Sequence, residues 1–266
     1  MDRLSIDLAL KIVRIAEEAG RAIMQVYESA DLGVTYKDDK SPLTEADKRS
    51  HAIISEALAK LTPEIPVLSE EGKDIPHDTR KDWQRFYLVD PLDGTKEFIK
   101  RNGEFTVNIA IIDRGRPALG VIHIPARGVS YLAAEDAGAY RLDTDGTQKR
   151  IEATGAIATD ELAVTASRSH GAEELERFLE RLNVRERVSA GSALKFCMIA
   201  EGRADIYPRF GPTWEWDTAA GHAIVLEAGG RVVDTEGKDE LQYNKPVLKH
   251  KGFIAAPTVL ISSLFG

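Results

Sequence analysis

The 266-residue chain is 43% hydrophobic and 29% charged, enough apolar side chain for a sizeable core, which excludes disorder as the main state. Its formal charge of -8 argues against broad binding to nucleic acid polymers, whose phosphates are held by clustered Lys and Arg, so an anionic substrate must be neutralised locally. A single cysteine, Cys197, excludes an internal disulfide, and no stretch approaches the roughly 20 apolar residues that span a bilayer.

The start Met1-Asp2-Arg3-Leu4-Ser5 lacks the apolar run of a secretory signal. The cytoplasm is therefore the expected setting; weak attachment to the inner face of a membrane, and monomer against homodimer, stay open. Leu8, Ile12, Ile15, Ala19, Ala22, Ile23 and Val26 recur at helical spacing and predict an amphipathic helix. Thr44-Glu45-Ala46-Asp47 places an acid three residues after a capping threonine, and predicts the start of a second helix with His51-Ala52-Ile53-Ile54 and Leu58 on one face. Pro66 to Ser69 and Phe86 to Val89 have strand composition and end in acids, Glu70-Glu71 and Asp90. Thr106 to Ile112, Leu119 to Ile124 and Val129 to Ala134, divided by Asp113-Arg114-Gly115 and Arg127-Gly128, predict an antiparallel meander.

Beyond Arg150 strand and helix patterns alternate: Leu162 to Thr165, Ala172 to Leu182, Arg187 to Ser189, Ser192 to Glu201, Ala204 to Tyr207, Thr218 to Ala228, Arg231 to Val233 and Gly252 to Ala255. That alternation predicts α/β layering. The polar segment Thr144 to Asp160 is the expected junction between an N-terminal α+β domain, 1–150, and a C-terminal α/β domain, 151–266. Cys197 falls within Leu194 to Ala200, which reads as a buried helix, so core packing is expected of it rather than chemistry.

The chemistry concentrates in Asp90-Pro91-Leu92-Asp93-Gly94-Thr95, where two carboxylates flank a proline-stiffened bend and a glycine lets the backbone turn at a helix start. Taken alone this is also an ordinary solvated turn. Glu70 at a strand end and Asp217 in Trp216-Asp217-Thr218-Ala219-Ala220-Gly221 at a helix start bring the acids at element ends to four. Carboxylate and carbonyl oxygens suit a hard cation such as Mg²⁺, and no Cys/His cluster suggests zinc. Clustered carboxylates repel one another and need a compensating cation, which is then available to a phosphate dianion.

Asp90-Pro91-Leu92-Asp93-Gly94-Thr95-Lys96-Glu97-Phe98 and Trp216-Asp217-Thr218-Ala219-Ala220-Gly221 resemble the two signatures of the inositol monophosphatase superfamily. Ser41-Pro42-Leu43-Thr44-Glu45-Ala46-Asp47 and Leu68-Ser69-Glu70-Glu71-Gly72 stand in that superfamily's order, so the resemblance covers nearly the whole chain. Lys96 to Asn108, Ser167-Arg168-Ser169-His170 and Gly191-Ser192-Ala193-Leu194-Lys195-Phe196-Cys197 are most similar to its 3'(2'),5'-bisphosphate nucleotidase branch. Ala193 stands where that branch has a serine, which removes one hydroxyl.

The resemblance implies a layered α-β-α-β-α sandwich with the site between two halves. It implies two or three Mg²⁺ ions held by Glu70, Asp90, the Leu92 carbonyl, Asp93 and Asp217, with Glu70 and Asp90 shared between ions. Asp47 and Thr95 match the pair that orients and deprotonates the attacking water, although Asp47 also reads as a plain helix-start acid. Amides at Gly94 and Thr95 would hold the phosphate to be cleaved. Ser169, His170, Gly191, Ser192, Lys195 and Asp217 would line the substrate pocket, with Lys195, Arg168 and His170 able to meet a second phosphate. Trp214 and Trp216 offer either an aromatic wall for a base or core packing.

The implied reaction is hydrolysis of adenosine 3',5'-bisphosphate to AMP and phosphate, lithium-sensitive and serving sulfur assimilation and nucleotide recycling. An inositol or sugar monophosphatase uses the same acids with a different pocket and is the alternative enzyme. A silent phosphate-ligand sensor is the alternative from another class, disfavoured because every required acid is present. A dinucleotide-dependent oxidoreductase is disfavoured because no G-x-G-x-x-G follows a predicted strand.

Overall fold

Strand-forming residues dominate from Val67 to Ile151 and build one seven-stranded sheet whose spatial order follows the chain: Val67–Ser69, Arg85–Asp93, Thr106–Asp113, Arg116–Ile124, Val129–Ala134, Gly138–Leu142 and Gln148–Ile151. The structure is a computed structural model that describes residues 4–37, 42–166 and 172–266. The first two strands pair in parallel and all later neighbours antiparallel. The expected meander is present and runs two strands further than the sequence reading took it. The last strand lies inside the polar segment assigned to the domain junction: Gln148, Lys149 and Arg150 are exposed on a sheet edge, so they lack the apolar alternation that marks a half-buried strand.

Both faces of this sheet are covered, and the period-two alternation of side chains divides them. Tyr87, Val89, Ile109, Ile111, Leu119 and Val121 point into a core with helices α1 (Ile6–Tyr27) and α2 (Glu45–Leu61). Phe86, Leu88, Ala110, Ile112, Ile122 and Ile124 point the other way, into a core shared with helices placed later in the chain. Two short helices interrupt the sheet strands in the chain: α3 (His77–Arg80) precedes Arg85–Asp93, and α4 (Thr95–Ile99) follows it at the sheet's acidic end.

After Ile151 the chain adds α5 (Ala172–Leu179), α6 (Leu194–Ala200), α7 (Glu215–Glu227) and α8 (Thr258–Phe265), together with short strands. Leu162–Ala166 pairs in parallel with Val184–Ser189, and Phe253–Pro257 lies antiparallel between Tyr207–Arg209 and Gly230–Val233. Alternation again separates two faces: Tyr207, Val232, Phe253 and Ala255 face α6 and α7, whereas Ile206, Val233, Ile254 and Ala256 face α5 and α8. The layers therefore run α1/α2, seven-stranded sheet, α6/α7, C-terminal strands, α5/α8, the α-β-α-β-α sandwich expected. The terminal helix α8 escaped the sequence reading, as did the first turn of α7.

α7 is the middle of the molecule. It is rich in Ala and Gly and buried on most sides, so both sheets approach it closely. A Cβ added to Gly120 would lie 2.4 Å from the Ala220 carbonyl oxygen and 2.9 Å from the Ala223 Cβ. Cys197 is buried and free in α6, among core side chains. No helix among the described residues is long and apolar enough to cross a membrane. Gly120→Ala should destabilise the fold by about 1–3 kcal/mol through overpacking, read as a lower denaturant midpoint with an unchanged slope.

Candidate active site

Parallel pairing of Val67–Ser69 with Arg85–Asp93 sets Ser69 opposite Val89, and the Glu70 N–H donates to the Val89 carbonyl at 3.0 Å. Glu70 and Asp90 thus leave the same end of the sheet side by side. Asp93 joins them through a bulge. Asp90 pairs with Asn108 and Asp93 with Thr106, so a three-residue step opposes a two-residue step. Thr106 and Asn108 share a face, and the extra residue turns Asp90 and Asp93 to one side as well. Pro91, with no N–H to contribute to a ladder, stands inside the bulge.

Gly94 then takes a left-handed conformation, φ 88°, ahead of α4. A Cβ there would lie 3.1 Å from both the Glu104 carbonyl oxygen and the Ser192 Cβ, so glycine allows the turn and the close approach of the 191–193 segment. Packing of Phe98 and Phe105 on Tyr27, with ring centroids 5.2 and 4.9 Å away, fixes α4 against the end of α1. Asp217 arrives from the other half in the first turn of α7, where it accepts from the Thr213 hydroxyl at 2.7 Å and the Trp214 N–H at 3.0 Å.

Glu70, Asp90, Leu92, Asp93, Gly94, Thr95 and Asp217 all line one cavity of about 430 Å³, together with Lys37 and the two tryptophans. An adjoining cavity of about 180 Å³ shares Asp93, Gly94 and Asp217 and adds Gly191, Ser192, Lys195 and Arg209. Asp47 lies buried behind Thr95. Its Oδ2 accepts from the Thr44 N–H at 2.7 Å as part of a capping box, and its Oδ1 faces the Thr95 hydroxyl at 3.5 Å. The Leu92 carbonyl, at 3.4 Å, is the other acceptor open to that hydroxyl. Both sequence readings of Asp47 are therefore compatible, because each oxygen has a different neighbour. Ser169, His170 and Arg168 lie outside the described residues.

Burial is the leading cause of raised carboxyl pKa values here, reinforced by neighbouring carboxylates. Glu70 is pushed up to about 7 by burial and Asp217, against the pull of Lys37. Asp93 is pushed up to about 7 by burial and Asp217, against Lys195. Asp90 is raised by burial together with Glu70, Asp93 and Asp217. Asp217 itself is raised by burial, while hydrogen bonds from Thr213 and Trp214 act the other way. Burial pushes Asp47 up to about 6.

As the side chains stand, no three of these acids among the described residues converge into a ready metal cage. Instead they ring the cavity, and the Lys37 ammonium donates to Glu70 at 2.9 Å and also to Glu71. The donor set nonetheless fits a hard cation: it is all oxygen, mutually repelling, and confined to one partly enclosed space.

The second cavity is mixed in charge, with Lys96, Lys195 and Arg209 beside Asp93, Glu97 and Asp217. The buried Lys195 ammonium donates to the Ala190 and Ser192 carbonyls at 3.0 and 2.8 Å and lies over the Tyr207 ring. Among the described residues, Ser192 Oγ and Arg209 Nε are buried there without a hydrogen-bond partner. Ser192 has φ 43°, unusual for a residue with a side chain. The Gly191 N–H is committed to the Glu104 carboxylate at 3.0 Å.

Arg209 was not anticipated from sequence, nor was Lys37. The available signal was position: Arg209 follows the strand candidate Ala204 to Tyr207 by two residues and precedes Gly211-Pro212, a turn that leads straight to Trp216-Asp217. Trp214 and Trp216 stack at 4.8 Å and 13°, with Lys249 Nζ 4.0 Å over Trp214, so they wall the acidic cavity while Trp216 also packs on the core.

A layered sandwich with a carboxylate-ringed cavity where its halves meet is the arrangement of a metal-assisted phosphatase class. The profile of the inositol monophosphatase family matches residues 7–264, and the chain belongs to that family. Within it the chain is 52% identical over 230 residues to the 3'(2'),5'-bisphosphate nucleotidase CysQ of Escherichia coli O157:H7, covering 86% of this chain and 91% of that one. The crystal structure of CysQ from Bacteroides thetaiotaomicron superposes with a TM-score of 0.81 at 41% identity, covering 94% and 97% of the two chains. That of SuhB from Bartonella henselae superposes equally, TM-score 0.81, at 27% identity over 97% and 96%.

Folded carboxyls with pKa near 7, above the unfolded value of about 4, bind protons more tightly in the native state, so their stabilising contribution is lost as pH rises through that window. Buried neutral imidazoles, His222 and His250, each held down to about 3, slope the other way. If these carboxylates hold Mg²⁺, the Tm increment between thermal melts with and without millimolar MgCl₂ should grow from about pH 5.5 to pH 8, because the cation competes with protons; an increment that does not change over that range would separate the carboxylates from cation binding.

Proposed function

We propose that this protein is a magnesium-dependent phosphomonoesterase that converts adenosine 3',5'-bisphosphate to AMP and phosphate. The observation that carries this reading is the abutment of two unlike cavities at Asp93, Gly94 and Asp217, one ringed by carboxylates and one holding Lys195 and Arg209. A substrate with two phosphates presents one group to each. The similarity to the CysQ nucleotidases supports the same substrate.

Glu70, Asp90, the Leu92 carbonyl, Asp93 and Asp217 would hold the ions. When bound, magnesium would supply neutralisation of the phosphate dianion and Lewis acidity toward its oxygens. The chain's own residues then orient the reaction. Thr95 donates its hydroxyl hydrogen toward Asp47 and so turns its oxygen lone pairs to an attacking water, whose proton passes through Thr95 to Asp47. Burial raises the basicity of Asp47 above that of an exposed carboxylate, which suits a proton acceptor near neutral pH. Gly94 brings backbone to the cavity without a side chain in the way. Ser192, Lys195 and Arg209 would receive the second phosphate, with unpaired buried Ser192 Oγ and Arg209 Nε as donors. Ser169 and His170 belong to the same pocket in this reading.

The reading carries with it a cytoplasmic setting, a monomer or homodimer, and walls contributed by the halves 1–150 and 151–266. Asp90→Asn should lower phosphate release roughly 10³-fold or more; turnover near the parent level would end the metal-donor assignment. Arg209→Gln should raise KM for the bisphosphate about 10-fold or more, while leaving that for adenosine 3'-monophosphate within about twofold, measured by steady-state phosphate release. A kcat/KM higher for inositol 1-phosphate than for the bisphosphate nucleotide would transfer the assignment to an inositol monophosphatase.

A further inference from the structure

Glu70 and Asp217 both line the acidic cavity, yet they belong to segments nearly 150 positions apart in the chain. A buried polar relay connects those segments away from the cavity. Arg80, 3% exposed, ends the stretch that follows Glu70, and its partner Asn244 is partly buried. Its guanidinium donates to the Ile75 carbonyl at 3.2 Å, to Asn244 Oδ1 at 2.7 Å and to the Pro246 carbonyl at 3.2 Å. Asn244 answers by donating its Nδ2 to the Arg80 carbonyl at 2.8 Å. The Asn244 N–H donates to Glu215 Oε2 at 2.7 Å, and Glu215, fully buried, opens α7 two residues before Asp217. The Glu215 N–H in turn donates to the Leu248 carbonyl at 2.9 Å, which closes the relay on the same loop.

We infer that Arg80, Asn244 and Glu215 form a positioning strut that fixes the spacing of Glu70 and Asp217, and thereby sets how tightly the site holds its cation. The inference rests on the metal-donor reading above. Arg80 and Glu215 are buried, Asn244 is partly buried, and each is multiply bonded, so the strut is stiff: Arg80 spans three acceptors with a planar fork, and Asn244 sits at φ 71°, where asparagine is tolerated. None of the three supplies a donor to the cavity. Residues that orient metal donors from behind change metal affinity by about 10–100-fold when removed.

Arg80→Met and Asn244→Gly, the latter chosen because glycine accepts positive φ, should each weaken Mg²⁺ binding about 10-fold in calorimetric titration of the full chain. The Mg²⁺ concentration for half-maximal activity should rise in step, with kcat at saturating Mg²⁺ within about twofold of the parent. Asn244→Asp keeps the acceptor for Arg80 and should recover most of the affinity. The two strut losses should fall well short of additivity when combined.

Folded variants that titrate like the parent, or kcat losses that saturating Mg²⁺ does not restore, overturn the strut alone. A parent protein that takes up no Mg²⁺ overturns the donor assignment beneath it. If Arg80→Met does not fold, the Asn244→Gly and Asn244→Asp pair decides the matter by the same titration.

Discussion

Repulsion among carboxylates confined in one partly enclosed space is the constraint around which this molecule is organised. Glu70, Asp90, Asp93 and Asp217, from three separate stretches, line that space; burial raises the pKa values of all four, and neighbouring carboxylates add to the rise at Glu70, Asp90 and Asp93. Such a cluster is held only because each acid is fixed by backbone whose geometry is decided elsewhere: parallel strand pairing for Glu70 and Asp90, a bulge for Asp93, a helix cap for Asp217. The sheet and α7 provide the rigidity, and under the proposed function the acids they hold in place would draw in a cation and, after it, a phosphate.

Opposite charge is then placed one step away. Burial and Asp217 push the pKa of Asp93 up while Lys195 and Arg209 pull it down, so groups of both signs meet at the wall shared by the two cavities. Under the proposed function, this juxtaposition would let a chain of net charge -8 accommodate a doubly phosphorylated ligand, because attraction is local and directional at contact distance.

Much of this was legible from the sequence, for identifiable reasons. Helical periodicity in Leu8 to Val26, the Thr44/Asp47 cap and the alternation from Thr106 to Ala134 are local patterns, and local patterns survive folding. The acids that line the cavity were picked out by their positions at element ends and by motifs that resemble a known family. What escaped depends on tertiary placement. The exposed strand Gln148–Ile151 carries charges because it is a sheet edge. Arg209 and Lys37 look like solvated residues in their own neighbourhoods and meet the site only through strand pairing and loop closure. The bulge that unites Asp90 with Asp93 cannot be read from a three-residue spacing, since regular pleating would turn them to opposite faces.

The helix at the centre carries a last implication for access. α7 is gripped between both sheets, with small residues pressed against Gly120 on one side and Phe196 crowding Gly221 on the other. A cleft between the halves cannot swing open about such a helix without exposing the largest apolar core of the molecule to water. Ligand entry and exit therefore belong to the rim, where side chains such as Lys37 can exchange partners, while the scaffold behind them stays still.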